Sequence, residues 1–418
     1  MRHSVYLHIP FCAHRCAYCD FHAYAGQQDL IPAYVTALCN EIQYAGGWAL
    51  TGRRVHTIFF GGGTPSLLAA RQIAQLLDAL RGSARVDDDA EITLEANPGT
   101  VSLEEMRAIR RTGVNRISLG VQSANGHELR LLGRAHHFGD VLRAVSAARR
   151  SGFGNLNLDL IFALPEQSLG TWKTSVRRVL KLEPEHVSAY ALTLEHGTPF
   201  GTWVRRGLLP MPDADLAADM YEWLSEELEA ADYRQYEISN WARPGFECRH
   251  NLQYWRGEPY LGFGAGAHGY AEGFRYANVL ALRDYLERIS ESVRIPPAQS
   301  SGGGFRLEVR RPMSPACVSQ HRQSLDDEMA EFMIMRFRLT REGVPLEAFK
   351  RRFGRGLWEQ YGDALRRLMR QGLIESGEAE QSELRGEAGA EDRSAAEALR
   401  LTPRGRLLGN RVFAEFVS

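Results

Sequence analysis

The sequence lacks a strong excess of charge, a long hydrophobic run and a large set of cysteines. It has 418 residues, with 50 Lys and Arg against 51 Asp and Glu, and this balance gives no indication of a nucleic-acid or anionic-membrane partner. No apolar window reaches the length of a membrane-spanning helix. Six cysteines, three of them clustered, do not form a disulfide framework. We therefore expect a cytoplasmic protein with one large α/β domain and a smaller domain.

Three of the six cysteines lie close together near the start of the chain. Cys12, Cys16 and Cys19 have the spacing C-x3-C-x2-C, which lets one short loop direct three thiolates at a single centre. Thiolates are soft ligands that select zinc, copper(I) or an iron–sulfur cluster. In a 4Fe-4S cluster, three cysteines leave one iron without a protein ligand, since Phe21 stands where a fourth cysteine would fit. That open iron can take a small chelating ligand.

Structural zinc is the alternative for the same stretch. His8, His14 and His22 are close enough in sequence to complete a site of three cysteines and one histidine. Such a protein would be a zinc-stabilised α/β binding protein without redox chemistry. Analysis of iron and acid-labile sulfide separates the two interpretations.

Strand-like and helix-like segments alternate after the cysteine loop. The apolar and β-branched runs predict strands at 5–9, 55–60, 91–95, 116–121, 157–162 and 187–192. Helical patterns lie between them at 34–44, 70–80, 103–111, 141–150 and 171–182. Ser102 followed by Glu105 has the pattern of a capping box at the start of the third helix. Six repeated β-α units favour a parallel sheet that forms a partial barrel.

Residues able to bind a ligand follow the predicted strands at one end. The cysteine loop comes after the first strand, and the glycine run 61–63 with Thr64 and Pro65 comes after the second. Glu95 ends the third strand, Gln122 ends the fourth, and Asp159 lies within the fifth. Ligand chemistry in β/α barrels gathers at the C-terminal ends of the strands. The sequence therefore predicts one site at this rim, where glycine lets the backbone approach a ligand closely.

Residues 6–19 read Tyr-x-His-Ile-Pro-Phe-Cys-x3-Cys-x-Tyr-Cys. This stretch resembles the cluster loop of radical S-adenosylmethionine (SAM) proteins, specifically the family of oxygen-independent coproporphyrinogen III oxidase. The resemblance implies an incomplete (β/α)6 barrel, a 4Fe-4S cluster on the three cysteines, and SAM at the open iron. The oxidases of this family carry a further cysteine two residues after the third, whereas the HemW-type heme chaperones carry phenylalanine. This chain has Phe21.

The same resemblance implies a set of SAM-binding residues. They come from the cluster loop, the glycine run and the ends of the later strands: Tyr6, Tyr18, Gly62, Gly63, Thr64, Glu95, Gln122, Arg134 and Asp159. From the residues alone, the glycine run is also typical of a tight turn between a strand and a helix. Tyr6 and Tyr18 are equally compatible with core aromatics.

A second motif, His250-Asn-x-x-Tyr254-Trp255, lies in the second half of the chain. A lone histidine among apolar and aromatic residues is most often a buried structural residue. Its aromatic neighbours, however, are flat side chains able to stack on a macrocycle while an imidazole nitrogen ligates iron. The motif resembles the one associated with heme in the chaperone branch, and on that basis we predict a heme-linked group of His250, Tyr254 and Trp255.

The sequence divides into four segments. Residues 1–210 are predicted to form the radical SAM partial barrel, and 211–295 an extension that carries the heme-linked motif. Residues 296–325 are rich in Pro, Ser and Gly, which predicts a flexible linker. Residues 326–418 resemble the family's small, mainly helical, winged-helix-like C-terminal domain. The Glu-, Ala-, Ser- and Gly-rich stretch 376–397 within it is predicted to be disordered.

These features together predict a radical SAM-type heme chaperone that binds a 4Fe-4S cluster, SAM and heme. Its expected partners are heme, an acceptor hemoprotein such as a respiratory one, an electron donor such as a flavodoxin or ferredoxin, and transiently a membrane-associated protein, but no nucleic acid. Whether SAM is cleaved stays open, and so does enzymatic activity. The alternative is a true coproporphyrinogen III oxidase, against which Phe21 counts.

Overall fold

The computed structural model describes residues 2–294, 312–378 and 397–417. The strands in these ranges are β1 (Arg2–Ile9), β2 (Phe11–Cys12), β3 (Tyr24–Ala25), β4 (Arg54–Gly62), β5 (Arg85–Ala96), β6 (Arg116–Gln122), β7 (Leu156–Phe162), β8 (His186–Ala191), β9 (Arg234–Glu237), β10 (Asn240–Ala242), β11 (Tyr260–Phe263), β12 (His268–Ala271), β13 (Phe274–Asn278), β14 (Cys317–Arg322), β15 (Val344–Pro345), β16 (Ile374–Glu378) and β17 (Glu397–Leu401).

The α-helices lie mostly between successive strands. They are α1 (Ile31–Gly46), α2 (Ala70–Ser83), α3 (Leu103–Thr112), α4 (Gly126–Leu131), α5 (Phe138–Arg150), α6 (Leu169–Leu180), α7 (Pro199–Arg205), α8 (Ala214–Ala230), α9 (Arg249–Trp255), α10 (Leu282–Arg294), α11 (Leu325–Phe337), α12 (Leu346–Phe353), α13 (Leu357–Arg370), α14 (Pro403–Leu407) and α15 (Gly409–Phe413). Short 3-10 helices occur at Gln28–Leu30, Pro65–Leu67 and Pro98–Thr100.

The central sheet confirms the predicted α/β fold, a partial (β/α)6 barrel. Its strand order is β14-β13-β12-β11-β1-β4-β5-β6-β7-β8-β10-β9, and the six predicted strands are neighbours in chain order from β1 to β8. Each pairs in parallel with the next. Because the strands are parallel, their C-terminal ends meet at one rim, which is the geometry that a site built from several strand ends requires.

The helices bury apolar faces against the outside of this sheet. The predicted capping box is present at α3, where the Ser102 hydroxyl accepts a hydrogen bond from the Glu105 backbone N–H. Gly113 ends the helix in the left-handed conformation with φ of 110°. On α6, the fully buried Trp172 donates its indole N–H to the Met220 carbonyl at 3.0 Å. This bond joins α6 to α8.

The C-terminal segment forms the predicted small, mainly helical domain. Helices α11 to α15 surround a three-stranded sheet in the order β15-β17-β16, and a separate apolar cluster that includes Phe337 and Phe349 fills its interior. The domain contacts the barrel through an ion pair between Arg256 and Glu342, and through the Arg338 guanidinium, which lies 4.3 Å from the ring centroid of Trp255.

The predicted linker 296–325 requires a correction in its second half. Strand β14 lies there and pairs antiparallel with β13 at the edge of the central sheet. The Ser314 hydroxyl donates to the buried Glu41 carboxylate on α1, and the Val279 N–H donates to the Ala316 carbonyl at 2.9 Å. These bonds fix a segment whose composition suggested a linker, because an edge strand needs little apolar sequence of its own. Residues 295–311 lie outside the described ranges.

The predicted insert 376–397 falls mainly on residues 379–396, which also lie outside the described ranges. At its two ends, residues 376–378 and 397 belong to the paired strands β16 and β17. Among the described helices, none has both the length and the apolar character needed to cross a membrane.

Candidate cluster and cofactor site

A cavity of about 470 Å³ opens at the C-terminal rim of the parallel strands. Residues predicted for the site come together there from four strands, β4 to β7, from the chain after β6 and from the cluster loop. Those lining it are Cys12, Cys16, Tyr18, Cys19, Gly62, Gly63, Thr64, Glu95, Gln122, Arg134 and Asp159. Tyr6 does not line the cavity: its hydroxyl bonds to His8 Nδ1 at 3.0 Å and its ring stacks on Phe59.

The cluster loop is anchored at both ends. It begins in β2 and returns in β3, and the two short strands pair in parallel, with the Tyr24 N–H also donating to the Pro10 carbonyl at 2.7 Å. The Gln28 side chain donates to the Cys12 carbonyl at 2.8 Å. Within the loop, the Cys19 N–H donates to the Cys16 carbonyl at 3.2 Å. The chain between these anchors carries all three cysteines to the cavity.

The glycine run packs directly against the cluster loop. A Cβ atom on Gly63 would lie 2.6 Å from the Phe11 carbonyl oxygen, and one on Gly62 would lie 2.6 Å from the His8 ring. Gly62 also has φ of 114°, a conformation that L side chains rarely adopt. The Gly63 N–H donates to the Ile9 carbonyl at 2.9 Å. Only glycine permits this approach, so the run brings Thr64 next to Cys12.

The three thiols of the cluster loop all line the cavity. Burial raises the pKa of Cys12 and raises that of Cys19 to about 11, and neighbouring thiols add to both shifts. Yet among the described residues no three His, Cys, Asp or Glu side chains stand close enough to hold a single metal ion. Three soft thiol donors that line one cavity suit an iron–sulfur cluster.

Two half-buried carboxyl groups, those of Glu95 and Asp159, also line the cavity. Burial, and next to it the charge of Asp159, raises the pKa of Glu95 to about 8. Glu95 accepts a hydrogen bond from the Gly62 N–H at 3.1 Å. Burial also raises the pKa of Asp159, against hydrogen bonds from Asn157 and Ser118 at 2.7 and 3.0 Å. Such a pair favours a cationic ligand, which would recover the energy lost by desolvating the carboxylates.

The remaining predicted residues sit on the β6 side. Gln122, the last residue of β6, has a left-handed φ of 64°. Arg134 is half-buried, and it donates to the Gly120 carbonyl at 2.8 Å and to the Cys16 sulfur at 3.5 Å. It also donates to the side-chain oxygen of Asn97. The sequence prediction missed Asn97, although its position two residues after Glu95, in the same strand-end loop, could have indicated it.

The His250 motif lies at the other end of the barrel. His250, Tyr254 and Trp255 belong to α9, whose first N–H groups at Arg249 and His250 donate to Glu91. Glu91 precedes Glu95 by four residues on β5, so this helix lies about 13 Å from the rim along the strand. The motif is therefore not part of the cavity that holds the cysteines.

His250 is enclosed, with 1% of its surface exposed. Its Nδ1 bonds to the Thr57 hydroxyl at 2.8 Å and its Nε2 to the Tyr254 hydroxyl at 2.9 Å, while its ring stacks on Phe59. Burial lowers its pKa to about 3. Both ring nitrogens are thus occupied. In this geometry His250 is the buried structural residue that the sequence left as the alternative, and its role as an iron ligand stays a prediction.

Comparison with known proteins finds radical SAM and heme chaperone sequences that are similar to this chain. The radical SAM superfamily profile matches residues 6–179, and that of the HemN C-terminal domain matches 323–378. The heme chaperone HemW of Bacillus subtilis is 36% identical over 99% of both chains. That of Escherichia coli is 45% identical over 64% of this chain and 69% of its own.

A solved structure shares the fold over nearly the whole chain. The coproporphyrinogen III oxidase HemN from Escherichia coli, a radical SAM enzyme, superposes with a TM-score of 0.77 over 99% of this chain and 89% of its own. The two sequences are 23% identical, so the likeness shows the fold.

Proposed function

Because the chain belongs to the heme chaperone HemW family of the radical SAM superfamily, we propose that it binds a 4Fe-4S cluster, SAM and heme and delivers heme to acceptor hemoproteins. The observation that carries the proposal is the rim cavity, which is lined by three cysteines together with Glu95 and Asp159. We propose the cytoplasm as its compartment, since free thiols persist under reducing conditions.

The residues of the rim have distinct tasks in this proposal. Cys12, Cys16 and Cys19 supply three thiolates to the cluster, which leaves one iron for SAM. Gly62 and Gly63 present backbone to the ligand, and the half-buried carboxyl groups of Glu95 and Asp159 pair with its positive charge. When bound, the cluster and SAM supply one-electron chemistry.

The pH dependence of SAM binding tests the role of Glu95. The sulfonium of SAM is a permanent cation, and a nearby cation lowers a carboxyl pKa. Glu95 starts from a pKa of about 8, so SAM binding is expected to release a proton near neutral pH. Affinity should then rise with pH up to about 8 and level off above it, by at most about tenfold per pH unit. Isothermal titration calorimetry of cluster-reconstituted protein, in buffers of different ionisation enthalpy, measures both the SAM affinity and the number of protons released on binding.

Glu95→Gln is the matched control for this experiment. It keeps the shape of the side chain and removes the titrating proton. Its affinity for SAM should therefore be weaker than that of the unaltered protein and should change less with pH. The amino group of SAM titrates in both proteins, and the comparison therefore isolates Glu95 from Asp159 and the ligand. Equal pH profiles for the two proteins would contradict the assignment.

Heme delivery is tested by transfer to an apo-hemoprotein. Protein loaded with heme is mixed with an apo-acceptor such as a respiratory hemoprotein, and the absorbance spectrum of the acceptor is followed. A flavodoxin or ferredoxin is the proposed reductant, and the proposed acceptor complex includes a transient membrane-associated partner.

An anaerobic assay of coproporphyrinogen III consumption tests the alternative function, that of a coproporphyrinogen III oxidase. Phe21, at the position where the oxidases resembled by this chain carry cysteine, predicts no consumption.

The predicted heme-linked motif needs its own test. Heme titration of His250→Ala, under conditions where the variant is folded, is compared with the unaltered protein. A lost or shifted heme absorbance band supports ligation by His250, which would require its bonds to Thr57 and Tyr254 to break. Unchanged affinity and spectrum would remove His250 as a ligand and leave it as part of the barrel interior.

A further inference from the structure

A continuous chain of hydrogen bonds joins two of the three cysteine sulfurs across the rim. The Thr64 hydroxyl donates to Cys12 Sγ at 3.5 Å, and the Asn97 amide nitrogen donates to Thr64 Oγ1 at 3.1 Å. On its other side, the Asn97 amide oxygen accepts from Arg134. Arg134 in turn donates to Cys16 Sγ at 3.5 Å. Asn97 is the central link of this chain.

The donors and acceptors permit only one direction in this chain. An Arg guanidinium has donors alone, so Asn97 must turn its oxygen to Arg134 and its NH2 group to Thr64. Thr64 Oγ1 therefore accepts from Asn97, and its single proton is directed to Cys12. The orientation of one amide thus determines that both sulfurs receive a hydrogen bond. Each bond in such a chain polarises the next.

Hydrogen bonds to thiolate sulfur stabilise the more negative state of an iron–sulfur cluster, which is the reduced one. They are among the factors that set cluster reduction potentials. Arg134 adds a positive charge held in place by its bond to the Gly120 carbonyl. The two sulfurs with side-chain partners belong to Cys12 and Cys16. The Cys19 thiol has a backbone partner instead: against the raising effect of burial, a hydrogen bond from the Phe21 backbone lowers its pKa.

We propose that Asn97 is a positioning residue for the cluster: it orients Thr64 and Arg134 so that each donates to a cysteine sulfur, and it thereby raises the reduction potential of the cluster. The inference rests on the proposed cluster at Cys12, Cys16 and Cys19. It assigns to Asn97 no contact with SAM or heme.

The test is potentiometric titration of the reconstituted cluster, followed by electron paramagnetic resonance in the absence of SAM. Thr64→Val removes the donor to Cys12 at nearly constant volume and is expected to lower the potential. Asn97→Asp should lower it more, because its carboxylate accepts from both neighbours, draws the Thr64 proton away from Cys12 and adds negative charge. We expect a shift of roughly tenfold in the reduction equilibrium for Thr64→Val, which is about 59 mV for one electron.

Two controls separate positioning from general damage. Thr64→Ser keeps the hydroxyl and should keep the potential. Asn115→Ala removes another half-buried asparagine, whose amide bonds the Ile92 N–H and Ala90 carbonyl away from the cysteines, and it should leave the potential unchanged even where it lowers stability.

The outcomes are distinct. Lowered potentials in Thr64→Val and Asn97→Asp, with both controls unchanged, support the proposal. Unchanged or raised potentials in cluster-loaded Thr64→Val and Asn97→Asp would overturn it while leaving the cluster assignment intact. If Asn97→Asp fails to assemble a cluster, Thr64→Val alone decides. Failure of the unaltered protein to assemble a 4Fe-4S cluster, measured as iron and sulfide content, would instead overturn the proposed function.

Discussion

Replacing Cys12, Cys16 and Cys19 together by serine is expected to reduce bound iron and acid-labile sulfide from about four atoms each to background. Serine keeps the size of the side chain but offers a hard oxygen that is protonated at neutral pH, and iron–sulfur clusters select thiolates. The three thiols are the cysteines that line the rim cavity, so no neighbouring cysteine replaces them there. Chemical iron and sulfide analysis after anaerobic reconstitution measures the loss.

A matched control is available on the outside of the barrel. Cys39 on α1 is also half-buried, and its thiol contacts the Gln75 carbonyl at 3.8 Å rather than the rim. Cys39→Ser is expected to retain the full cluster content and the visible absorbance of the unaltered protein. Retention of iron and sulfide by the triple variant would show that the cluster lies elsewhere, and zinc as the only metal in the unaltered protein would favour the structural-zinc alternative.

Replacing His250 by alanine is expected to lower the free energy of unfolding by about 3–5 kcal/mol, whatever its role toward heme. The change removes a fully buried ring that stacks on Phe59 and leaves a cavity. It also deprives the Thr57 and Tyr254 hydroxyls of their partner, and buried polar groups without partners are costly. Urea unfolding monitored by tryptophan fluorescence, with the midpoint compared at fixed slope, measures the effect.

An exposed histidine gives the reference for this measurement. His127 lies at the surface of α4, and His127→Ala should change the free energy of unfolding by at most about 0.5 kcal/mol. Equal stability of the two variants would contradict the enclosed position of His250 and favour an exposed histidine that is available as a ligand.

The stability should also depend on pH through His250. Since His250 has a pKa of about 3 in the fold, burial keeps it neutral. The unfolded state then binds more protons, so stability contributed by the neutral ring is present above about pH 6.5 and is lost as pH falls toward 3.

Most of the residues predicted for the rim site line one cavity, for a physical reason. Parallel strands joined by helices place all their C-terminal ends on one side, so residues far apart in sequence, such as Cys12, Glu95 and Asp159, become neighbours once strand order is known. The prediction was less successful for β14, because an edge strand is recruited by its partner strand and leaves little periodicity in the sequence. Tyr6 lies on β1, before the cluster loop, and its hydroxyl bonds to His8, so it is not among the residues that line the cavity.

The sequence by itself determined which chemical groups are available. Three thiols at short spacing, a glycine run, carboxyl groups at strand ends and a repeated β-α pattern are local features that can be recognised without a structure. Only the tertiary structure decided which polar side chains share a hydrogen bond. Asn97 links Thr64 and Arg134, and both ring nitrogens of His250 form hydrogen bonds, one to Thr57 and one to Tyr254. These hydrogen bonds depend on the register between strands that are distant in sequence. That register cannot be read from the sequence alone, because it is set by the packing of the whole sheet.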